Sequence, residues 1–462
     1  MNAVFNNSKL LIRPVFFLAF AVYLSSIQFI QAQQPHILSQ KEQATIIDEW
    51  LLDRIENVLP ALMRREGIDL WLIVSREYNE DPVIKTFLPA TWLAARRTTM
   101  LLMHDPGEGK KIETLAVARY DVGKAFSKSW DPEKEPDQWK QLIKLIQERK
   151  PDKIGINMSE DYGHADGMNV SDYNQLMAYL PNDLREKVVS AQNLSVGWLE
   201  TRTAKEMASY RHIMAIANKI IADGLSEQVI TPGVTTTEDV VWWYRERIKE
   251  LKLDTWFHPS VDIQRPDPAD QGHLRSFAVK PESQVIQYGD LLHMDFGITY
   301  LRLNTDTQQL AYVLKPGEHE VPGFLEDALK VGNKLQDILT DQFVAGRTGN
   351  QILAEARKQA AKEGIKGTIY THPIGYHGHA AGPTIGMWDN QGDTPGSGDY
   401  PLYPNTAYSI ELNAVVFVEE WKKDIRVMLE EDAFFDGERV TYLNGRQTRI
   451  LPIPRIQTYL GN

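Results

Sequence analysis

Cysteine is absent from the 462 residues. That excludes disulfides, thiolate zinc sites, iron–sulfur clusters and cysteine nucleophiles, because each needs a sulfur. Any metal must therefore sit on histidine and carboxylates. Positive charge is in deficit, with 50 Lys+Arg against 62 Asp+Glu and a formal charge of −12. A surface of that sign argues against nucleic acid or anionic lipid as the main partner. A glycine-rich phosphate fingerprint, a His-Glu-x-x-His zinc helix, short-period repeats and low-complexity linkers are also lacking. What remains is a globular composition, 43% hydrophobic and 24% charged. At roughly 150 residues per domain it suffices for two or three domains with cores of their own.

No apolar run reaches the ~20 residues of a membrane-spanning helix. The nearest, residues 15–24, is followed by Ser25, Ser26 and Gln28, is preceded by Lys9 and Arg13, and has a small residue, Ala32, where cleavage would fall. Residues 1–32 thus read as a secretory signal. The mature chain is expected to be secreted or periplasmic, with no stable membrane insertion, and loses two cations to reach a formal charge of −14.

Residues 41–66 have helical spacing; β-rich runs follow at 68–74, 98–103, 112–118 and 153–156, with helical segments at 138–148 and 172–180. This predicts a mixed α/β N-terminal domain over 33–197, a scaffold with little chemistry of its own. From 198 the pattern changes to helices at 198–224, 237–250, 325–342 and 350–363, a strand pair within 291–313, and a β-rich tail over 407–451. The fold class is α+β, with a largely antiparallel sheet in a second domain over 198–462.

Three stretches carry candidate chemistry. In the first, Asp295 closes the apolar run Leu291-Leu292-His293-Met294 and Asp306 follows eleven residues later. If 300–304 make a hairpin turn, both face one pocket, and a divalent ion is the usual way to keep two such carboxylates ionised. Asp295-Phe296-Gly297 also occurs in protein kinases, but their glycine-rich and His-Arg-Asp loops are missing. The second stretch, residues 372–382, holds three of the eleven histidines, His372, His377 and His379, among glycines that permit close backbone approach. The third comprises Glu411 and Glu431, each ending or interrupting a strand-like run. Together they supply four carboxylates and an imidazole, a donor set suited to two divalent ions.

The order Asp, Asp, His, Glu, Glu over residues 199–451 resembles the M24 metallopeptidases, the family of methionine aminopeptidase, aminopeptidase P and prolidase, and the N-terminal half resembles the creatinase-type domain that precedes their catalytic domain. The resemblance implies a pita-bread catalytic fold. It implies Asp295, Asp306, His379, Glu411 and Glu431 as ligands of two divalent metal ions, Mn first and Co, Zn or Fe as alternatives, with Glu411 also a general base. It further implies a homodimer and the hydrolysis of N-terminal Xaa-Pro bonds in peptides by a metal-bridging hydroxide. In the family a catalytic His follows the ligand His by seven positions, and counting from the His379 region puts Trp388 near that place. His377, then His372 and His273, are the candidates to supply that imidazole, and His377 or His372 could instead be the ligand. A catalytically silent peptide-binding homologue and a creatinase-like C–N hydrolase of a small molecule are the rival readings.

Overall fold

Side-chain caps set where the principal helices begin. Ser39 with Glu42, Thr203 with Glu206, Thr236 with Asp239 and Thr348 with Gln351 form capping boxes, satisfying otherwise orphaned N–H groups at the starts of helices Gln40–Asn57, Ala204–Gly224, Thr237–Glu250 and Gly349–Lys362. The computed structural model describes residues 35–267 and 283–455. The expected signal at 1–32 and His273 lie outside them. The chain divides into two units, Met1–Ile37 and Leu38–Asn462, and all contacts given below lie within the second. Among the described residues, no helix is long and apolar enough to cross a membrane.

Two expected helices are each broken in two. Residues 41–66 become Gln40–Asn57 and Leu59–Glu66, the second carrying Pro60 in its first turn, where the N–H that the ring lacks would be needed only by a continuous helix. Residues 198–224 become the end of Gln192–Glu200 and then Ala204–Gly224, separated where Thr203 turns to cap the latter.

Strands β1 (Leu70–Arg76), β2 (Thr98–His104), β3 (Glu113–Val117), β4 (Ser127–Lys128), β5 (Ile154–Ile156) and β6 (Val188–Ser190) form a mixed sheet in the order β4-β3-β2-β1-β5-β6. Helices cover both faces, so β1 alternates between two cores: Trp71 and Ile73 enter one, Leu70, Leu72 and Val74 the other.

The second portion is β7 (Ser260–Gln264), β8 (Leu291–Phe296), β9 (Thr299–Tyr300), β10 (Leu303–Asn304), β11 (Thr307–Val313), β12 (Lys366–Ile369), β13 (His372–Pro373), β14 (Thr406–Ser409), β15 (Leu412–Val418), β16 (Lys423–Leu429), β17 (Asp432–Phe435), β18 (Val440–Tyr442) and β19 (Leu451–Ile453). They pair as β19-β11-β8-β7, β12-β15-β16, β13-β14-β17-β18 and the small hairpin β10-β9. The pairings are antiparallel except β11 with β19. Helices Gly323–Thr340 and Gly349–Lys362 pack Leu329, Leu335 and Ile352 into the same core as Leu412, Val427 and Leu429.

Two strand breaks bring these sheets together. The chain leaves β14 for β15 at Ile410-Glu411, and β16 for β17 at Glu430-Glu431. Ile410 N–H donates to the Glu431 carbonyl at 3.0 Å and Gln308 N–H to that of Glu430, also at 3.0 Å. Both acidic breaks are thereby stitched to each other and to β11.

Candidate metal centre

The expected hairpin is present in elaborated form. β8 and β11 are antiparallel with Asp295 opposite Gln308, and the excursion between them contains β9 and β10. Leu301 and Arg302 turn that hairpin at φ 54° and 64°, left-handed values that side chains with a Cβ rarely adopt. Arg302 is held there by donating to the carbonyls of Leu88 at 2.8 Å and Lys85 at 3.3 Å. The turn delivers Asp306, just before β11, beside Asp295.

Strand alternation decides which of the late acids joins them. Ile410 and Leu412 are in the hydrophobic core, so Glu411 between them faces away from it. By the same rule Val427 and Leu429 point into the core and Glu430 does not. Glu431 falls on the core side with Leu429 and Ala433; its Oε1 accepts from Gln447 N–H at 2.8 Å and its Oε2 is buried without a hydrogen-bond partner. The structure therefore brings Glu430, and not the expected Glu431, to the other carboxylates.

Three overlapping groups of side chains have ligand-type atoms within 4.8 Å of one another: Asp295, Asp306 and Glu430; His372, Glu411 and Glu430; Asp306, His372 and His379. His372 Nε2 lies 3.5 Å from Glu430 Oε1 and 3.7 Å from Asp306 Oδ2. Its Nδ1 is 2.9 Å from the Pro373 carbonyl oxygen. A carbonyl only accepts, so Nδ1 carries the proton, and in the neutral ring Nε2 presents a lone pair to the carboxylates. His372 Nε2 and Asp295 Oδ1 are buried with no hydrogen-bond partner. Two orphaned acceptor atoms among carboxylates that repel one another are what a divalent cation would satisfy, so the residues present fit such an ion.

His379 joins one group only, its ring edge-on to His372 with centroids 4.7 Å apart. It is seven positions beyond His372, the spacing expected between ligand and catalytic histidines. Loss of hydration, then the neighbouring His372, pushes its imidazole down to about 4, which keeps the ring neutral. His377 turns instead toward His164, ring centroids 4.5 Å apart, and belongs to none of the three groups; burial, then His164, pushes it down to about 3. Trp388 is an exposed side chain outside those groups.

The histidine loop is anchored from behind. Tyr376 OH donates to Glu206 Oε1 at 3.0 Å, and the guanidinium carbons of Arg202 and Arg54 lie 4.6 Å and 5.2 Å from its ring centroid. At Gly378 a Cβ would come within 2.2 Å of the Trp256 ring, so only glycine admits that approach. A cavity of about 740 Å³ opens beside this loop, lined among others by Lys85, Trp92, Trp256, Arg302, His377 and His379.

Residues 208–434 match metallopeptidase family M24. The chain belongs to that family over this segment. As a member it is a metal-dependent hydrolase. No curated protein sequence matches. Solved structures match over most of the chain: X-Pro aminopeptidase from Thermotoga maritima (17% identity, 85% of this chain and 99% of that one, TM-score 0.58), Xaa-Pro dipeptidase from Bacillus anthracis (17%, 90% and 100%, 0.55), and a variant of aminopeptidase P from Escherichia coli (12%, 89% and 97%, 0.55). At such identities the likeness concerns the fold, a mixed α/β portion followed by a pita-bread portion.

The carboxylates couple metal binding to pH. Without metal, burial, then the charge of Glu430, pushes the Asp295 carboxyl up to about 8. A raised folded value means that its contribution to stability is fully present below the unfolded value of about 3.9 and is lost as pH rises toward about 8. A divalent cation reverses this preference by favouring the ionised form. The increase in melting temperature on adding Mn²⁺ to chelator-treated protein should therefore grow between about pH 5 and pH 8. A gain that stays flat over that interval would exclude the coupling.

Proposed function

We propose that this chain is an exported peptidase that hydrolyses N-terminal Xaa-Pro bonds, working with two divalent cations, manganese first among them, as a homodimer. The observation that carries the reading is the position of His372 Nε2, 3.7 Å from Asp306 Oδ2 and 3.5 Å from Glu430 Oε1, with Nδ1 engaged by the Pro373 carbonyl. His372, Glu411 and Glu430 would hold one cation, and Asp295, Asp306 and Glu430 the other. Bound there, such cations supply a water acidified toward pKa ~7 and a polarised carbonyl.

The chain's own groups do the rest. Glu411, facing the cluster, takes the proton from the attacking water and returns it to the leaving nitrogen as general base and then acid. His379, kept neutral, uses its N–H to hydrogen-bond the oxygen on which negative charge develops. The cavity of about 740 Å³ beside it is of a size that holds a short peptide. Export rests on the character of residues 1–32. The rival reading of a silent homologue rested on Trp388 standing where a catalytic imidazole is needed. Counted from His372, that position is His379, and the motive for the rival disappears.

The test is an assay of the mature chain, stripped of metal and reloaded with Mn²⁺, Co²⁺ or Zn²⁺, on Xaa-Pro peptides and on matched peptides with Ala in place of Pro. Metal-dependent release of the N-terminal residue from the Pro series is expected, with Asp306→Ala inactive. No turnover with any metal, or full activity in Asp306→Ala, would overturn the reading.

A further inference from the structure

We propose that Gln308 is a positioning residue of this centre: its side-chain amide, anchored by His293, sets the separation of Glu411 and Glu430 and with it the affinity for a divalent cation. The inference rests on the metal-binding reading above and adds a residue outside the ligand set. Gln308 is buried, 4% exposed. Its Nε2 donates to Glu411 Oε1 at 2.8 Å and to Glu430 Oε2 at 2.8 Å. Its Oε1 lies 2.8 Å from His293 Nε2. Because carboxylates can only accept, the amide nitrogen must face them, which leaves the amide oxygen toward His293 and makes His293 Nε2 the donor. The far side of the His293 ring, Nδ1, is 3.7 Å from Asp262 Oδ2. A chain of polar groups thus runs from β7 through β8 and β11 to the two strand breaks.

The chemistry of an amide suits the place. Glu411 and Glu430 face each other across the centre, and their charges repel. An arginine or lysine at 308 would hold them by adding a positive charge, which competes with the cation, and a glutamate would add repulsion. The amide offers two N–H donors and no charge, so it draws the carboxylates to a fixed separation while leaving their charge for the metal. Partners that orient ligands in this way typically contribute 10–100-fold to metal affinity.

Chelator-treated protein is titrated with Mn²⁺ by calorimetry for the wild type, Gln308→Met, His293→Phe and the double variant, with urea unfolding of each metal-free form. Gln308→Met keeps the length and removes both donors, and should weaken Mn²⁺ binding about 10–100-fold. His293→Phe should weaken it less, and should add nothing in the Gln308→Met background because it acts through the same amide. A merely structural role would lower metal-free stability without moving the Kd. A folded Gln308→Met protein with the wild-type Kd would overturn the proposal. Should that variant fail to fold, a folded His293→Phe protein with wild-type affinity would do the same. A wild type that binds no Mn²⁺ would sink both this inference and the function it rests on, whereas metal-dependent peptidase activity with an unaltered variant Kd would sink this one alone.

Discussion

Glu430→Gln is expected to lose Mn²⁺ affinity and peptidase activity by more than about 100-fold, whereas Glu431→Gln, one residue on, keeps both. Glu430 belongs to two of the three ligand groups, so removing its charge weakens both proposed cation positions. Since orienting partners alone contribute 10–100-fold, a shared ligand should exceed that range. Glu431 has a different environment. Burial, opposed by its bond from Gln447 N–H, pushes its carboxyl up to about 8. Below that pH it is predominantly neutral in the folded chain, so an amide of the same shape replaces it at little electrostatic cost and keeps an oxygen for Gln447. Metal titration and peptide turnover of the two variants at pH 7 check this. Equal losses, or a larger loss at Glu431, would refute the assignment.

The second large effect is at the back of the histidine loop. Arg54→Met should destabilise the fold by about 3–5 kcal/mol, because it leaves a buried carboxylate short of a partner. Arg54 and Glu206 side chains are both 0% exposed and 3.0 Å apart. Arg54 also donates to the carbonyls of Thr201, at 2.5 Å, and Trp198. Burial by itself would raise the Glu206 carboxyl, but Arg202 and Arg54 outweigh it and hold the group below its ordinary value. A depressed folded value contributes stability at neutral pH that is lost as pH falls through the carboxylate range. Denaturant unfolding of Arg54→Met, Glu206→Leu and the double variant should show the double less destabilised than the sum of the singles. A single-variant loss under about 1 kcal/mol would show that the pair contributes little. Tyr376, bonded to Glu206 three residues before His379, links this network to activity, so Arg54→Met should also lower turnover.

Much of the framework was legible in the chain itself. The helix expected at 237–250 is Thr237–Glu250, because an apolar stripe coincides with a capping box. The expected strand at 98–103 differs from Thr98–His104 by one residue. The hairpin carrying Asp295 and Asp306 followed from the apolar run before the first and the spacing to the second. Less legible was the choice within short acidic and histidine clusters. Signals for it exist: Ile425, Val427 and Leu429 alternate, which turns Glu430 to the opposite side, and the interval from His372 to His379 is seven. Gln308 and His293 carried no such signal, since a glutamine in a strand is ordinarily a solvated or locally bonded residue.

The amino-acid order alone determined the donor types, the near absence of alternatives to His and carboxylate chemistry, and the succession of mixed α/β and antiparallel portions, because composition and periodicity act locally. The tertiary structure alone decided which neighbouring donor points inward. Adjacent strand residues face opposite sides, so a single step at the break between β16 and β17 exchanges a carboxylate in the ligand cluster for one on the core side. Likewise the Pro373 carbonyl, by holding the Nδ1 proton of His372, turns that ring's lone pair toward carboxylates brought from strands distant in sequence.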